Sequence, residues 1–126
     1  MKTITADGQP SLGPYSHAVS ANGLVFLSGI VAYNAKDKAF APANIKSQTH
    51  QVFANVKSVL AASGSTLDDV VKVTVFLKNP EDFAPMNTIY ATYFDGHKPA
   101  RTTVPGVDWG REDVLIEIDV VAKAPD

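Results

Sequence analysis

The chain has 126 residues, of which 45% are hydrophobic and 19% are charged, and it contains no cysteine. This composition is typical of a globular protein, and it excludes disulfides, thiolate metal sites and a cysteine nucleophile. The formal net charge is −2 and the lysines and arginines are scattered along the chain, which argues against a surface that binds nucleic acid.

The first residues, Met1 to Ile4, soon give way to a segment rich in glycine and proline. They contain neither an apolar run of signal-peptide length nor an arginine-rich presequence. The longest apolar stretches are far shorter than a membrane span. We therefore expect a cytosolic protein that forms one domain over residues 1–126 and does not enter a membrane.

The N-terminal part of the chain predicts three strands. They are expected at residues 2–5, 18–21 and 24–28, with a loop over residues 7–15. Asn22-Gly23 lies between two apolar runs and indicates a hairpin, because both residues tolerate positive φ in a type I′ turn. Residues 31–43 mix small, polar and charged side chains and are interpreted as a loop.

A helical period follows, because one set of residues recurs at spacings of three and four. The set is Ile45, Thr49, Val52, Phe53, Val56, Val59 and Leu60. Asn44 can cap the first turn and Gly64 can end the last one. The pattern predicts a helix over residues 45–63.

A strand is predicted over residues 70–78, with Val71, Val73, Val75 and Leu77 on one face. The opposite face carries Lys72, Thr74 and Phe76, so it is not simply exposed to solvent. Residues 79–82 predict the start of a second helix, because a capping residue, a proline and two acids come together. Pro85 should interrupt that helix and leave a main segment over residues 86–94.

Two more strands are expected at residues 100–104 and 114–124, around an irregular loop over residues 105–113. The order β-β-β-α-β-α-β-β predicts an α+β fold in which both helices cover one face of a mixed sheet. The other face still carries apolar side chains. Another subunit is the natural cover for it, although periodicity alone does not give the number of subunits.

Arg101 is the first candidate for chemistry, because its guanidinium offers five donors in a fixed fork that fits a carboxylate. The alternative is an arginine paired with an acid of the protein. Glu117 lies among apolar residues on the last strand, where it could position or activate a water molecule. The alternative for Glu117 is a solvated edge or a salt bridge, since an unpaired buried carboxylate is too costly.

Four further residues are candidates. Tyr15 follows a Gly-Pro turn and could donate to a substrate or stack on a planar ligand, or it could plug the end of the sheet. Ser28-Gly29 ends a strand, where glycine permits a ligand to approach backbone N–H groups, or simply forms a turn. Asn87 is a polar residue of the second helix, and most such residues face water.

Other chemistries receive little support. The three histidines, His17, His50 and His97, have no metal-ligand spacing. Neither a glycine-rich phosphate loop nor a Gly-x-Ser-x-Gly motif is present. A ribonuclease would need an acid–base pair beside a basic groove, which the histidines permit but do not support.

Five segments in order resemble the RidA/YjgF family of reactive-intermediate deaminases, some members of which are called endoribonucleases. They are Gly13-Pro14-Tyr15-Ser16-His17-Ala18-Val19, Phe26-Leu27-Ser28-Gly29, the middle pattern from Gln48 to Tyr90, Pro99-Ala100-Arg101-Thr102-Thr103-Val104 and Ile116-Glu117-Ile118. The last two are the most specific. Together the segments cover nearly the whole chain.

The resemblance implies a chorismate-mutase-like fold, with a six-stranded mixed sheet, two helices on one side and a homotrimer whose sheets line a central barrel. It implies sites between subunits that hydrolyse 2-aminoacrylate and related 2-imino acids from pyridoxal-phosphate dehydratases to 2-oxo acids and ammonia, without a metal or cofactor. By motif, Arg101 would bind the substrate carboxylate near Ser28, Gly29 and Thr103. Tyr15 and Asn87 would line the cleft, and Glu117 would orient the attacking water.

Three departures from the family pattern are visible. His17 and Ile30 stand where many relatives have glutamine, and residues 105–113, which include Trp109 and Arg111, replace a Leu-Pro connection. These changes could alter the cleft or the trimer contact. Two other functions stay open: a trimer that binds small carboxylates without turnover, and a ribonuclease or translation inhibitor.

Overall fold

The structure is a computed structural model that describes residues 1–125, so the last residue of the predicted domain lies outside the described residues. In chain order its elements are β1 (Lys2–Ile4), β2 (Ala18–Ala21), β3 (Leu24–Leu27), β4 (Ile30–Val31), β5 (Tyr33–Asn34), β6 (Ala39–Phe40), α1 (Ile45–Ala62), β7 (Val70–Leu77), α2 (Phe83–Tyr93), β8 (Ala100–Pro105) and β9 (Ile116–Lys123). Short 3₁₀ turns precede β7 and α2, at Leu67–Asp69 and Pro80–Asp82.

The main sheet has the order β1-β2-β3-β9-β7-β8, and β4 also pairs with β9. Because β3 and β4 both pair with β9, the seven strands fill six positions across the sheet. β7 and β8 are parallel and the other neighbours are antiparallel. The predicted α+β fold with a mixed sheet is therefore confirmed. β8 lies at one edge of that sheet.

Local signals account for the ends of several elements. Asn22 and Gly23 have φ of 53° and 78° and form the predicted hairpin turn. Asn44 accepts a hydrogen bond from the Ser47 N–H at 2.8 Å and caps α1. Gly64, with φ of 80°, lets the chain leave the helix, and the backbone N–H of Ser65 then bonds to the Leu60 carbonyl at 2.9 Å.

The prediction of a loop over residues 31–43 is wrong in part. β4 continues along β9 after a break at Ser28-Gly29, with Ile30 opposite Ile118. β5 and β6 form a separate hairpin, in which the Asn34 side chain accepts hydrogen bonds from the backbone of Lys36 and Asp37. Strands of two residues are too short to leave a periodic pattern.

Two other predictions need correction. Val71 does not share a face with Val73, because a register shift between Val70 and Lys72 forms a bulge in β7 and leaves Val71 40% exposed. Pro85 does not interrupt the second helix. It lies in the first turn of α2, where backbone N–H groups have no partner within the helix, so proline removes no hydrogen bond.

The core lies between the sheet and the two helices. α1 packs on β4 and β9, and α2 packs on α1. Fully buried side chains from helices and sheet meet there, including Phe53, Leu60, Met86, Leu77 and Ile118. Within the described residues no helix covers the other face of the sheet, which carries Phe26, 44% exposed, and Val104, 36% exposed.

Candidate functional site

Arg101 is held by helix α2. Arg101 lies on β8 and pairs with Val73 of β7, so its side chain is directed to the face of the sheet that the helices cover. The guanidinium donates from Nη1 to Oδ1 of Asn87 at 2.7 Å. Its Cζ lies 4.7 Å from the ring centroid of Tyr90 and 5.7 Å from that of Phe83. A cation over aromatic faces is attracted by the ring quadrupole, so these contacts fix the guanidinium without neutralising it.

The spacing of α2 explains this arrangement. Phe83, Asn87 and Tyr90 are four and three residues apart, so their side chains lie on one side of the helix. Tyr90 is buried, and its hydroxyl has no hydrogen-bond partner among the described residues. Burial raises the pKa of the Tyr90 phenol, and the charge of Arg101 opposes the shift only in part. The phenol is therefore neutral beside the guanidinium.

Arg101 has no acidic partner within residues 1–125. The ion pairs of this part of the chain are Lys78–Glu112 and Arg111–Asp113. The single side-chain hydrogen bond of Arg101 goes to a neutral amide. The described residues thus do not form the salt bridge that the alternative interpretation of Arg101 requires. Most of the N–H donors of the guanidinium are available to an anion.

Glu117 lies on the opposite face of the sheet, beside Phe76 of β7 and Val31 of β4. Its Oε1 accepts a hydrogen bond from Nε1 of Trp109 at 3.2 Å. The other oxygen, Oε2, is directed at Gly29, where an added Cβ would collide with it and would lie 2.8 Å from Cδ of the glutamate. A side chain at position 29 would therefore fit only if this carboxylate moved.

Burial raises the pKa of the Glu117 carboxyl. The hydrogen bond from Trp109 opposes this shift, and the negative charge of Asp119 adds to it. A carboxyl with a raised pKa is a better proton acceptor than an ordinary one when it is ionised. Such a group suits the transfer of a proton from water and back to a leaving amine.

Ser28 joins the segment of Tyr15 to the end of β3. Its hydroxyl donates to the carbonyl of Ser16 at 2.6 Å, and its backbone N–H donates to the carbonyl of His17 at 3.1 Å. Tyr15 is 47% exposed in the single chain. Tyr15, Ser28 and Gly29 line a small pocket whose other walls include Leu12 and Ile30.

The structure thus groups the predicted residues in two clusters. One contains Arg101 and Asn87, with Thr103 on the same face of β8 opposite Val75. The other contains Gly29 and Glu117, and Gly29 also borders the pocket with Tyr15 and Ser28. Strand geometry puts the Cα atoms of Arg101 and Glu117 roughly 14 Å apart, on opposite faces of the sheet. A three-carbon acid cannot touch both side chains of one chain.

Three residues that contact the predicted site residues were not predicted from the sequence. Phe83 and Tyr90 could have been found from their spacing around Asn87. Trp109 lies in the loop over residues 105–113, and no local signal in the sequence indicates that its indole reaches Glu117 eight residues later. That contact depends on the path of the loop, in which Gly106 and Gly110 have φ of 79° and 73°.

The three histidines have structural contacts. Nδ1 of His17 accepts a hydrogen bond from the backbone N–H of Ala6 at 2.9 Å, and its Nε2 faces the carbonyl of Pro10 at 3.0 Å. His50 bonds to the hydroxyl of Tyr93, and His97 to the carbonyl of Val70. In residues 1–125 no three His, Asp or Glu side chains form a group that could hold a metal ion. None of the helices in that range is long and apolar enough to cross a membrane.

Comparison with known proteins identifies close relatives. The profile of the endoribonuclease L-PSP family matches residues 6–124. A RutC family protein of Pyrococcus horikoshii is 44% identical over 119 residues, which are 94% of each chain. The chloroplastic reactive intermediate deaminase A of Arabidopsis thaliana is 42% identical over 99 residues, 79% of this chain and 53% of the plant protein. The crystal structure of E. coli TdcF with bound serine superposes with a TM-score of 0.88 at 31% identity, and the match covers 99% of this chain and 100% of TdcF.

Proposed function

The chain belongs to the endoribonuclease L-PSP (RidA/YjgF) family, and on that premise we propose that it hydrolyses 2-aminoacrylate and related 2-imino acids to 2-oxo acids and ammonia. The observation that carries the proposal is the setting of Arg101. A guanidinium held by an amide oxygen and two aromatic rings, without an acidic partner among residues 1–125, suits the carboxylate of a small substrate. The name of the plant relative supports the same chemistry.

The reaction needs few catalytic groups. A proton added at C3 of 2-aminoacrylate turns the enamine into the iminium form of 2-iminopropanoate, in which C2 is electrophilic. Water then attacks C2, and the carboxylate of Glu117 accepts the proton that water loses. Glu117 returns that proton to the amino group. The new hydroxyl at C2 then gives its proton to the Glu117 carboxylate as the C–N bond breaks, so ammonia leaves and C2 becomes the ketone of pyruvate. Holding water and substrate in contact removes much of the entropic barrier, of order 7–11 kcal/mol at the limit.

We further propose that the protein is a homotrimer with sites between its subunits. Arg101 and Glu117 lie on opposite faces of the sheet in one chain, so a second copy is needed to bring the two clusters to one substrate. The exposed Phe26 and Val104, and the open edge of β8, provide apolar surface and backbone groups for such a contact. In this assembly Tyr15 would face the cleft.

The test couples a serine or threonine dehydratase to this protein and follows the decay of the imine by trapping with semicarbazide. We expect the wild-type protein to accelerate the decay, and Arg101→Ala to abolish the acceleration. Loss of a desolvated Arg–carboxylate contact costs roughly 2–5 kcal/mol, or about 30- to 5,000-fold in kcat/KM. Arg101→Lys, which keeps the charge but loses the fork, should retain part of the rate.

Size-exclusion chromatography with light scattering serves as the control for this experiment. An inactive Arg101→Ala that stays folded and trimeric supports a substrate contact. An unfolded or monomeric variant would make Arg101 a structural residue and contradict the proposed role. No acceleration by a folded wild-type trimer would overturn the deaminase proposal.

A ligand-binding protein without turnover is the second candidate. The solved relative TdcF was crystallised with serine, a small carboxylate rather than an imine. The same assay separates the two functions, because a binding protein would take up serine or a 2-oxo acid in calorimetry without accelerating imine decay. Ribonuclease activity is less well supported, since the scattered lysines and arginines give no cluster for phosphate. The expected location is the cytosol, although the plant relative is named chloroplastic.

A further inference from the structure

Trp109 and Glu117 are joined by a hydrogen bond that the proposed reaction does not by itself require. Nε1 of the indole donates to Oε1 of the carboxylate at 3.2 Å. Trp109 is the single tryptophan of the chain and lies in the connection over residues 105–113. The contact therefore joins this loop to the candidate proton acceptor.

The segment that follows Trp109 is anchored at several points. Arg111 donates to both oxygens of Asp113, each at 2.8 Å, and lies over the ring of Phe40 with its Cζ 4.5 Å from the centroid. The fully buried amide of Gln48 donates to the carbonyl of Asp113 at 2.7 Å and accepts from the N–H of Leu115 at 3.0 Å. These contacts hold the C-terminal side of the loop on α1 and on the β5–β6 hairpin.

The other side of Trp109 is fixed by the backbone. The N–H of Val107 donates to the carbonyl of Leu77 at 3.0 Å, and the side chain of Asp108 accepts from the N–H of Gly110 at 2.7 Å. Gly106 and Gly110 both have positive φ, which lets the chain turn sharply on each side of the indole. These backbone contacts fix the turn that places Trp109 against the sheet.

We propose that Trp109 is a positioning residue for Glu117, which it holds through Oε1 so that Oε2 takes the proton of the attacking water. This rests on the proposed function. Gly29 completes the arrangement, because its missing side chain leaves the space that Oε2 occupies. A carboxylate fixed at one oxygen keeps the other in a constant direction, and near-attack geometry depends on that direction.

The charged groups around Glu117 determine how the N–H of Trp109 affects the pKa of the Glu117 carboxyl. The neighbours on the adjacent strands, Phe76 and Val31, do not titrate. Asp119, two positions along β9, disfavours a second negative charge, and the N–H of Trp109 favours the ionised form. In the loop, Arg111 is paired with Asp113 and Asp108 is bonded to Gly110. Removal of the indole N–H should therefore raise the pKa of the Glu117 carboxyl.

The single tryptophan allows a test that does not depend on activity. In the wild-type protein we expect the fluorescence of Trp109 to change with pH as the carboxyl titrates, and Glu117→Gln should abolish that transition. In Trp109→Phe, which keeps an aromatic ring but has no N–H, the carbon-13 NMR signal of the Glu117 carboxyl should titrate about 0.5–1 pH unit higher.

The acid limb of kcat in the imine assay should move by the same amount in Trp109→Phe, with a smaller change in KM. If the fluorescence transition persists in Glu117→Gln, or if Trp109→Phe moves neither the NMR titration nor the acid limb, the inference is overturned. An inactive wild-type protein that still shows both spectroscopic effects would refute the proposed function and retain the Trp109–Glu117 coupling. A wild-type protein that is active but shows neither spectroscopic effect would support the proposed function and refute the Trp109–Glu117 coupling.

Discussion

Asn87 holds Arg101 through a hydrogen bond of 2.7 Å from Nη1 to the amide oxygen, and this bond orients the guanidinium without cancelling its charge. An acid at the same place would form an ion pair with it. Because residue 87 is an asparagine and not an aspartate, the charge of Arg101 stays available to the carboxylate of a substrate. Because asparagine and aspartate have nearly the same shape, the difference can be tested almost without steric change.

Asn87→Asp should weaken substrate binding strongly, because the new carboxylate competes with that of the substrate for Arg101. We expect KM to rise at least about tenfold, which corresponds to about 1.4 kcal/mol. Steady-state kinetics of imine hydrolysis would measure it. Thr88→Asp is the matched control, since it adds the same charge at the next, exposed position of α2. An unchanged KM in Asn87→Asp, or an equal rise in Thr88→Asp, would contradict a specific competition at Arg101.

Gly29→Ala should displace the Glu117 carboxylate and reduce turnover. A methyl group at position 29 would lie 2.8 Å from Cδ of Glu117, and the carboxylate is the part that can move away. A misplacement of about 1 Å at a reacting group can cost up to about a hundredfold in rate, so we expect kcat to fall by about ten- to a hundredfold while the fold is retained.

The control for Gly29→Ala is Gly96→Ala, where a methyl group would enter open space without a positive φ. It should leave kcat and the melting temperature nearly unchanged. Circular dichroism of both variants would verify the fold. Full activity in Gly29→Ala would mean that the carboxylate does not need its present position.

The sequence predicted the fold because its strongest signals are local. Asn22-Gly23 set the hairpin, and Asn44 and Gly64 mark the ends of α1, within one residue of the prediction. β4, β5 and β6 were missed because strands of two residues show no periodicity. The bulge at Val71 was missed because alternation in sequence gives no indication of where a register shift occurs.

The candidate site was only partly accessible to sequence reasoning. The resemblance singled out Arg101, Asn87, Gly29 and Glu117, and the structure brings them together in two pairs. That these pairs lie on opposite faces follows from the pairing register of β7, β8 and β9, which is a long-range property. The same holds for Trp109, whose contact depends on the path of a loop.

Glu117→Gln should stabilise the fold near neutral pH. Burial raises the pKa of this carboxyl above its ordinary value of 4.5, so the folded state binds a proton more readily than the unfolded state. By linkage, the carboxyl of the wild-type protein contributes most to stability below pH 4.5, and this contribution is lost as the pH rises through the raised pKa of the folded state. Glutamine has nearly the same shape, does not titrate and can still accept the hydrogen bond of Trp109.

Melting temperatures measured from pH 4 to pH 8 check this expectation. The difference between Glu117→Gln and the wild-type protein should be small at the acid end and should grow in favour of the variant as the pH rises. Glu112→Gln is the control, because it removes the charge of a carboxylate that is exposed and not buried. If Glu117→Gln melts below the wild-type protein at neutral pH, the carboxylate is stabilised by its neighbours. In that case the cost of burying its charge does not dominate, and Glu117 is a less basic proton acceptor than its burial indicates.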